Sequence, residues 1–261
     1  MQKTVWITGA SSGIGEALAL EYAKSNANLI LSSRKKEALE VVAKKCQTPS
    51  NKVFVAPLDL ADSSNFKAVI SEVRSQFDRV DILINNGGIS QRSLVLETPM
   101  EVDRRLFEIN YFGTIHLTKL ILPWMLETGG GNIVAISSIS GKFGFPLRAS
   151  YAATKHALFG FFETLGLEHI KDNIKTTMVC PGRIKTNFSL SALNSKGETT
   201  NEMDPGLANG MPASICAQRI AKAVRKNKRE VWIGGKEILM VYFHKYLPWL
   251  FWKIAPNIDP K

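Results

Sequence analysis

The sequence predicts an α/β fold: a doubly wound, parallel, seven-stranded sheet with helices on both faces, in a single domain. Three observations lead there. Short β-rich apolar runs alternate with longer amphipathic stretches, the pattern of a parallel sheet flanked by helices. Runs such as Asp81-Ile82-Leu83-Ile84 and Asn132-Ile133-Val134-Ala135-Ile136 are almost wholly apolar, as strands covered on both faces must be. The first such run also leads into a glycine-rich turn and then a helical pattern.

Taken in order, Lys3–Thr8 carries Val5-Trp6-Ile7 and reads as the first strand, followed by a helix over Ile14–Ser25. Asn28–Ser33 and Lys52–Pro57 are the next strands, separated by a helix at Lys36–Lys45. A helix over Ser63–Gln76 leads to the strand Asp81–Ile84, and a long helical stretch, Val102–Leu126, leads to Gly131–Ser137. Tyr151–Ile170 is helical, Lys175–Cys180 extended, Ala213–Lys226 helical and Arg229–Gly234 the last strand. Thr186–Pro212 lacks periodicity and is rich in Ser, Asn and Gly; a loop of that length in a compact domain reads as a lid. The predicted organisation is a domain over 1–235, including a lid at about 186–212, and an aromatic amphipathic segment over 236–261.

Composition removes several function classes. The chain has 261 residues, 45% hydrophobic and 21% charged, which excludes a disordered tail protein, a collagen-like repeat and a disulfide miniprotein. Cys46, Cys180 and Cys216 are odd in number and lack metal-ligand spacing, so they read as reduced thiols and no metal is expected. Met1-Gln2-Lys3 precedes the first strand with no signal-like segment, and a cytoplasmic location is expected, with peripheral membrane association as an addition. The net charge of +10 admits nucleic acid, an anionic membrane or a phosphorylated ligand as partners. The basic clusters, Arg34-Lys35-Lys36 and Arg225-Lys226-Asn227-Lys228-Arg229, are short and lie at helix ends, which disfavours nucleic acid.

The turn after the first strand reads Thr8-Gly9-Ala10-Ser11-Ser12-Gly13-Ile14-Gly15. Glycines let a diphosphate approach the backbone, and the following helix N-terminus supplies N–H donors and a positive dipole end. Gly9, Ser11, Ser12, Gly13, Ile14 and Gly15 are therefore candidate cofactor contacts; the alternative is an ordinary strand-to-helix turn. No G-K-S/T sequence follows, which disfavours an NTPase. The second strand ends Ser32-Ser33-Arg34-Lys35-Lys36, with no carboxylate before Glu37 to meet a ribose 2′-hydroxyl. Ser33 and Arg34 suit a 2′-phosphate, so NADP is expected in preference to NAD.

Tyr151 and Lys155 are four residues apart on a predicted helix and share a face. An ammonium beside a phenol lowers its pKa and makes it usable as a general acid or base. Ser138, thirteen residues before Tyr151, sits at the end of a predicted strand, where doubly wound sheets bind ligands; Ser137 and Ser140 compete for the same role.

Together these residues resemble the short-chain dehydrogenase/reductases from Thr8 to about Gly235. The resemblance rests on Thr8–Gly15, Asp59-Leu60, Asn85-Asn86-Gly87-Gly88, Asn110, Ser138, Tyr151 with Lys155, and Pro181-Gly182 followed by Thr186. It implies a Rossmann fold and hydride transfer between NADP(H) and a secondary alcohol or ketone. By the resemblance, Tyr151 exchanges the proton, Ser138 holds the substrate oxygen, Lys155 bonds the nicotinamide ribose and Asn110 supports a water linked to Lys155. Asp59 and Leu60 border the adenine, Asn86 and Gly87 the adenine ribose, and Pro181, Gly182, Ile184 and Thr186 the nicotinamide. The family's usual Asn-Asn-Ala-Gly reads Asn85-Asn86-Gly87-Gly88 here. Dimers or tetramers, paired through the Val102–Leu126 and Tyr151–Ile170 helices, are also implied.

Phe143, Phe145, Phe188 and Leu190 fall where pocket walls are expected and suggest an apolar substrate; plain packing is the alternative. Residues 237–254 are aromatic-rich, interrupted by His244, Lys245 and Pro248, and shorter than the roughly 20 residues of a span. They read as a subunit or pocket cover, as an interfacial helix at a membrane or as a transmembrane anchor, and the ending resembles the lipid- and steroid-handling branch of the family. Two other functions remain in view: a nicotinamide-binding regulatory protein without turnover, and a 3-oxoacyl-type reductase.

Overall fold

The computed structural model describes residues 2–258; Met1 and the last three residues of the 236–261 segment lie outside the described residues. The strands are β1 (Thr4–Thr8), β2 (Asn28–Ser32), β3 (Val53–Val55), β4 (Ile82–Asn85), β5 (Gly131–Ile136), β6 (Ile174–Pro181), β7 (Ile184–Lys185), β8 (Met211–Pro212) and β9 (Glu230–Ile233). The helices are α1 (Gly13–Ala23), α2 (Lys36–Cys46), α3 (Phe66–Gln76), α4 (Met100–Phe107), α5 (Gly113–Glu127), α6 (Ala149–Glu168), α7 (Pro205–Ala208), α8 (Ala213–Arg225), α9 (Leu239–Tyr246) and α10 (Pro248–Ile254).

Seven strands form one parallel sheet in the order β3-β2-β1-β4-β5-β6-β9. The register alternates side chains between two cores. Trp6, Ile30, Leu83 and Ile133 face one side, where α3, α5 and α6 supply Phe66, Leu117 and Phe162. Val5, Ile7, Leu29, Leu31 and Ile84 face the other, against Leu18 of α1, Leu39 of α2 and Ile220 of α8. The strand order reverses between β1 and β4, so the loops after their C-terminal ends diverge and leave a crevice there.

Three expected elements differ. The long helical stretch Val102–Leu126 is α4 and α5 joined by a π-helical turn over Glu108–Phe112. Its cause is the Asn110 amide, which pairs with both backbone groups of Ile89 and draws the helix out of α register. The aperiodic Thr186–Pro212 stretch has local order: a 3₁₀ turn over Asn187–Ser191, α7, and a two-strand ribbon of β7 and β8 at its base. The aromatic C-terminal segment is two short helices, broken at Leu247 by Pro248. Among the described residues, no helix is long and apolar enough to cross a membrane.

Candidate active site

A cavity of about 470 Å³ occupies the crevice above the C-terminal ends of β1, β2, β4, β5 and β6. At one end Gly9, Ser11, Ser12, Gly13 and Ile14 line it. Gly9 takes a left-handed φ of 64°, which a side chain would strain. Gly15 does not line the cavity; a Cβ there would lie 2.1 Å from the Gly9 carbonyl oxygen, so it lets α1 close onto the turn. The turn is braced from β4. Asn86 Nδ2 donates to the Thr8 and Gly9 carbonyls at 3.0 and 3.2 Å, and the Asn86 and Gly87 N–H groups donate to Thr8 Oγ1, each at 3.0 Å. Where the family's usual alanine methyl would stand at Gly87, Leu60 Cδ1 fills the space, 2.7 Å from that position.

Ser33, Arg34, Asp59 and Leu60 line the next part of the cavity. Ser33 Oγ is buried and has no hydrogen-bond partner among the described residues, while Arg34 is exposed. Asp59 is the one acid on the cavity wall among the described residues, and its Oδ1 is engaged by the Ala61 N–H at 3.0 Å. Ser33, Arg34 and Lys35 thus give this part of the wall an unsatisfied hydroxyl and two cations, groups able to hold an anionic part of a cofactor.

The far end holds Ser138, Tyr151 and Lys155. Ser138 Oγ accepts from the Ser140 N–H at 3.1 Å and lies close enough to the Tyr151 phenol to favour its ionised form. Ser137 is spent elsewhere: its hydroxyl donates to the Lys155 carbonyl at 3.0 Å. Of the three competing serines, Ser138 is the one placed at the phenol. Lys155 Nζ lies 5.7 Å from the Tyr151 ring centroid and donates to the Ile136 carbonyl at 2.9 Å. Both side chains therefore do face one crevice.

Burial raises the Tyr151 pKa above its ordinary value; the nearby Ser138 hydroxyl and then the Arg148 charge oppose it. Lys155 is itself pushed down to about 8 by burial.

Asn110 does not line the cavity. It stands behind Lys155, accepting from the Ile89 N–H at 2.8 Å and donating to the Ile89 carbonyl at 2.9 Å and to Thr154 Oγ1 at 3.2 Å. Pro181, Gly182, Ile184 and Thr186 line the same cavity as Tyr151. Of the expected walls, Phe188 holds its place, 6.2 Å between ring centroids from Tyr151. Phe143 and Phe145 instead pack under α9 and α10, and Phe143 meets Phe251 at 5.3 Å. Leu190 is not on the cavity wall.

Sequence reasoning missed Gly88, Ile89 and Leu207 on the wall, and Arg148 near the phenol. Arg148 carried a signal: a cation three residues before a candidate acid/base tyrosine, one helical turn away.

Known proteins agree with this geometry. Residues 3–196 match the family model described as short chain dehydrogenase. Dehydrogenase/reductase SDR family member 7 of Homo sapiens is 40% identical, over 98% of this chain and 78% of that protein. A short-chain dehydrogenase from Streptomyces avermitilis superposes with a TM-score of 0.82 at 29% identity, covering 98% of this chain and 96% of the other. The L-sorbose reductase of Gluconobacter frateurii, solved with NADPH and L-sorbose, gives a TM-score of 0.77 at 26% identity, covering 90% and 95%. With a doubly wound sheet and a serine, tyrosine and lysine gathered at its crevice, the chain belongs to the short-chain dehydrogenase/reductase family and is an oxidoreductase.

Proposed function

We propose that the protein is an NADP(H)-dependent oxidoreductase that interconverts a secondary alcohol and a ketone of apolar character. The observation that carries this reading is one continuous cavity joining the glycine turn to Ser138, Tyr151 and Lys155. Bound nicotinamide dinucleotide supplies the hydride. The chain's own residues do the rest. Ser138 Oγ orients the substrate oxygen, and Tyr151 Oη gives or takes its proton. Lys155 holds the nicotinamide ribose, and Asn110 supports a water beside Lys155. Ile14 and Gly15 set the start of α1 against the diphosphate, and Ser33 with Arg34 receives the 2′-phosphate. Asp59 and Leu60 border the adenine, with Asn86 and Gly87 at its ribose. Phe188, Ile89 and Leu207 give the cavity apolar wall, which suits an apolar substrate. The NADPH bound to the sorbose reductase is consistent with the cofactor choice.

A regulatory protein without turnover has no need of all four groups, and this chain carries Ser138, Tyr151, Lys155 and Asn110. No observation favours a 3-oxoacyl substrate over other carbonyls. We also read 186–212 as the substrate lid, α4–α5 and α6 as the pairing surface of a homo-oligomer, and residues 237–254 as a peripheral membrane contact.

The test is NADPH and NADH oxidation against a panel of hydrophobic ketones and aldehydes. Tyr151→Phe is expected to cost at least about a hundredfold in kcat, the lower range of acid–base catalysis. Arg34→Ala is expected to raise KM for NADPH about tenfold or more while leaving NADH little changed, the loss of one charge-assisted contact. Unchanged turnover in Tyr151→Phe rejects the mechanism, and equal KM effects on both cofactors reject the NADP assignment.

A further inference from the structure

Tyr151 is the third residue of α6, in the turn where a helix is least secured. The first N–H groups of a helix have no acceptor within it, and the first backbone bond here runs from the Ala152 N–H to the Arg148 carbonyl at 2.8 Å. A serine, threonine, asparagine or aspartate just before Ala149 would ordinarily serve the open donors, but that place holds Arg148, whose side chain makes no capping bond. The Ser150 hydroxyl is turned away to Asp103 of α4. The open donors are met from another part of the chain. Gln91 Oε1 accepts from the Ser150 N–H at 3.0 Å and from the Tyr151 N–H at 3.4 Å, across 59 and 60 residues.

The amide has one way to sit. Gln91 is fully buried, and its Nε2 donates to Thr98 Oγ1 at 2.9 Å and to Ser93 Oγ at 3.3 Å, while Thr98 Oγ1 donates to the Leu94 carbonyl at 2.8 Å. Two hydroxyls on its nitrogen side and two N–H groups on its oxygen side fix the orientation. The Gln91 backbone is held as firmly. Two residues earlier, both backbone groups of Ile89 pair with the Asn110 amide. Gln91 itself bridges to Leu193 of the 186–212 stretch: the Leu193 N–H donates to the Ser90 carbonyl at 2.9 Å, and the Arg92 N–H to the Leu193 carbonyl at 2.7 Å. Further bonds join the same two segments on either side of the cap. Arg92 and Arg148 clamp Asp204 Oδ2 at 2.7 and 2.9 Å, and the Ser93 N–H donates to the carbonyl of Leu147, a non-glycine residue at φ 63°. A left-handed conformation of that kind persists only where the surroundings over-determine it.

We propose that Gln91 is a positioning residue for Tyr151: its amide caps α6 from the loop after β4 and so fixes where the phenol stands relative to Ser138 and Lys155. The proposal rests on the reading of Tyr151 as the acid/base. Gln91 is not on the cavity wall, so its effect runs through the backbone that it holds. With the cap in place, the first turn of α6 is tied to the same loop whose Asn86 braces the glycine turn. Lys155 lies a full turn further in, where the helix's own bonds hold it. Loss of the cap therefore loosens Tyr151 selectively and leaves Lys155 and the glycine turn where they are. A displacement of about an ångström at a reacting group is enough to cost a large factor in rate.

The experiment measures kcat and KM with NADPH and a ketone that the wild type turns over, together with hydrogen exchange at the Ser150 and Tyr151 amides. Gln91→Met keeps the length of the side chain but offers the helix no oxygen. It is expected to lower kcat about tenfold, to leave KM for NADPH within about twofold, and to speed exchange at both amides about tenfold. Gln91→Glu keeps an acceptor at the helix N-terminus, where negative charge is favoured, and is expected to restore kcat to within about threefold of the wild type. Combination with Tyr151→Phe isolates the route: a residue that works through the phenol takes nothing further from the residual turnover of Tyr151→Phe. If Gln91→Met is poorly folded, Ser93→Ala/Thr98→Val strips the amide nitrogen of both partners while Gln91 stays, and is expected to lower kcat about threefold. Wild-type kcat or exchange in a folded Gln91→Met, failed rescue by Gln91→Glu, or wild-type kcat in Ser93→Ala/Thr98→Val overturns the proposal. A full further loss from Gln91→Met in the Tyr151→Phe background also overturns it. Retained turnover in Tyr151→Phe alone defeats the assignment of Tyr151 itself, whatever the exchange shows.

Discussion

A buried lysine at the heart of the site makes a claim about stability that needs no substrate. Lys155 is buried, its ammonium is bonded to one backbone carbonyl, and burial pushes its pKa down to about 8. The unfolded lysine titrates near 10.4. Between these values the unfolded chain binds more protons than the folded one, so this residue's contribution to stability rises with pH across that window. Below pH 8 both states are protonated and the fold carries the cost of a buried charge. Urea unfolding of wild type and Lys155→Met should show it: from pH 7.5 to 10 the wild type gains about 2 kcal/mol relative to the variant. A constant difference across that range means that Lys155 keeps an ordinary pKa in the fold. Tyr22, Cys46 and Cys216, whose shifts owe nothing to Lys155, cancel in the comparison, and Cys180, which feels the Lys155 charge, is replaced by Ala in both proteins. The neighbouring His156, by contrast, is a structural residue whose Nδ1 pairs with the Ala152 carbonyl at 2.8 Å.

At the scale of elements, the glycine turn and α1 act as one rigid unit. A Cβ on Gly15 would sit 2.1 Å from the Gly9 carbonyl oxygen and 2.7 Å from Asn86 Nδ2, both held by the hydrogen bonds that fix the turn. Gly15→Ala is therefore expected to destabilise by about 1–3 kcal/mol, the usual cost of overpacking. It should also weaken NADPH binding at least about tenfold by pushing the α1 N-terminus off the diphosphate. Calorimetric titration and thermal melting check both, and a variant of wild-type stability and affinity would show that the turn yields freely. This unit was legible in the sequence because everything it needs is local: a β-branched strand, three glycines and a largely apolar helix within twenty residues. The seven strands were legible for a related reason, since burial on two faces leaves an apolar run with no polar alternation. The π turn was not. It depends on Asn110 finding Ile89, 21 residues away, and no helical periodicity encodes that pairing. Arg92 and Asp204 are 112 residues apart, so their clamp was equally invisible, and Phe143 was assigned to the pocket because its true neighbour, Phe251, lies more than a hundred residues on.

Across the whole molecule, among the exposed apolar surfaces of the described residues, two call for different occupants. Phe112 and Leu167 are 49% and 64% exposed beside α5 and on α6, where a second copy is proposed to pair. The C-terminal helices form the other surface. Val241 and Phe251 point inward onto Phe143, so the hairpin is anchored to the body of the domain. Outward, Tyr242 and Tyr246 lie four residues apart on α9, and Trp249 and Trp252 three apart on α10, each pair on one helical face. Trp249 and Trp252 are 68% and 67% exposed, with Lys245 and Lys253 close by in the sequence. Amphipathic aromatic rings with basic neighbours suit the headgroup layer of an anionic bilayer, and the net charge of +10 favours the same surface. A buried protein interface would suit the tryptophans but leave two lysines to desolvate. Flotation on phosphatidylserine-containing vesicles decides between them. The full chain is expected to float, and Trp249→Ala/Trp252→Ala to bind about tenfold less or weaker still, each exposed ring contributing roughly 1 kcal/mol or more at an interface. Because both tryptophans are two-thirds exposed and only Trp252 touches the core, edge-on to Phe251 at 5.4 Å, the double variant should melt within a few degrees of the wild type and sediment with it above the 28.9 kDa of one chain. Loss of the assembled mass in that variant would make the hairpin a subunit contact, and equal flotation of both proteins would remove the membrane from the account.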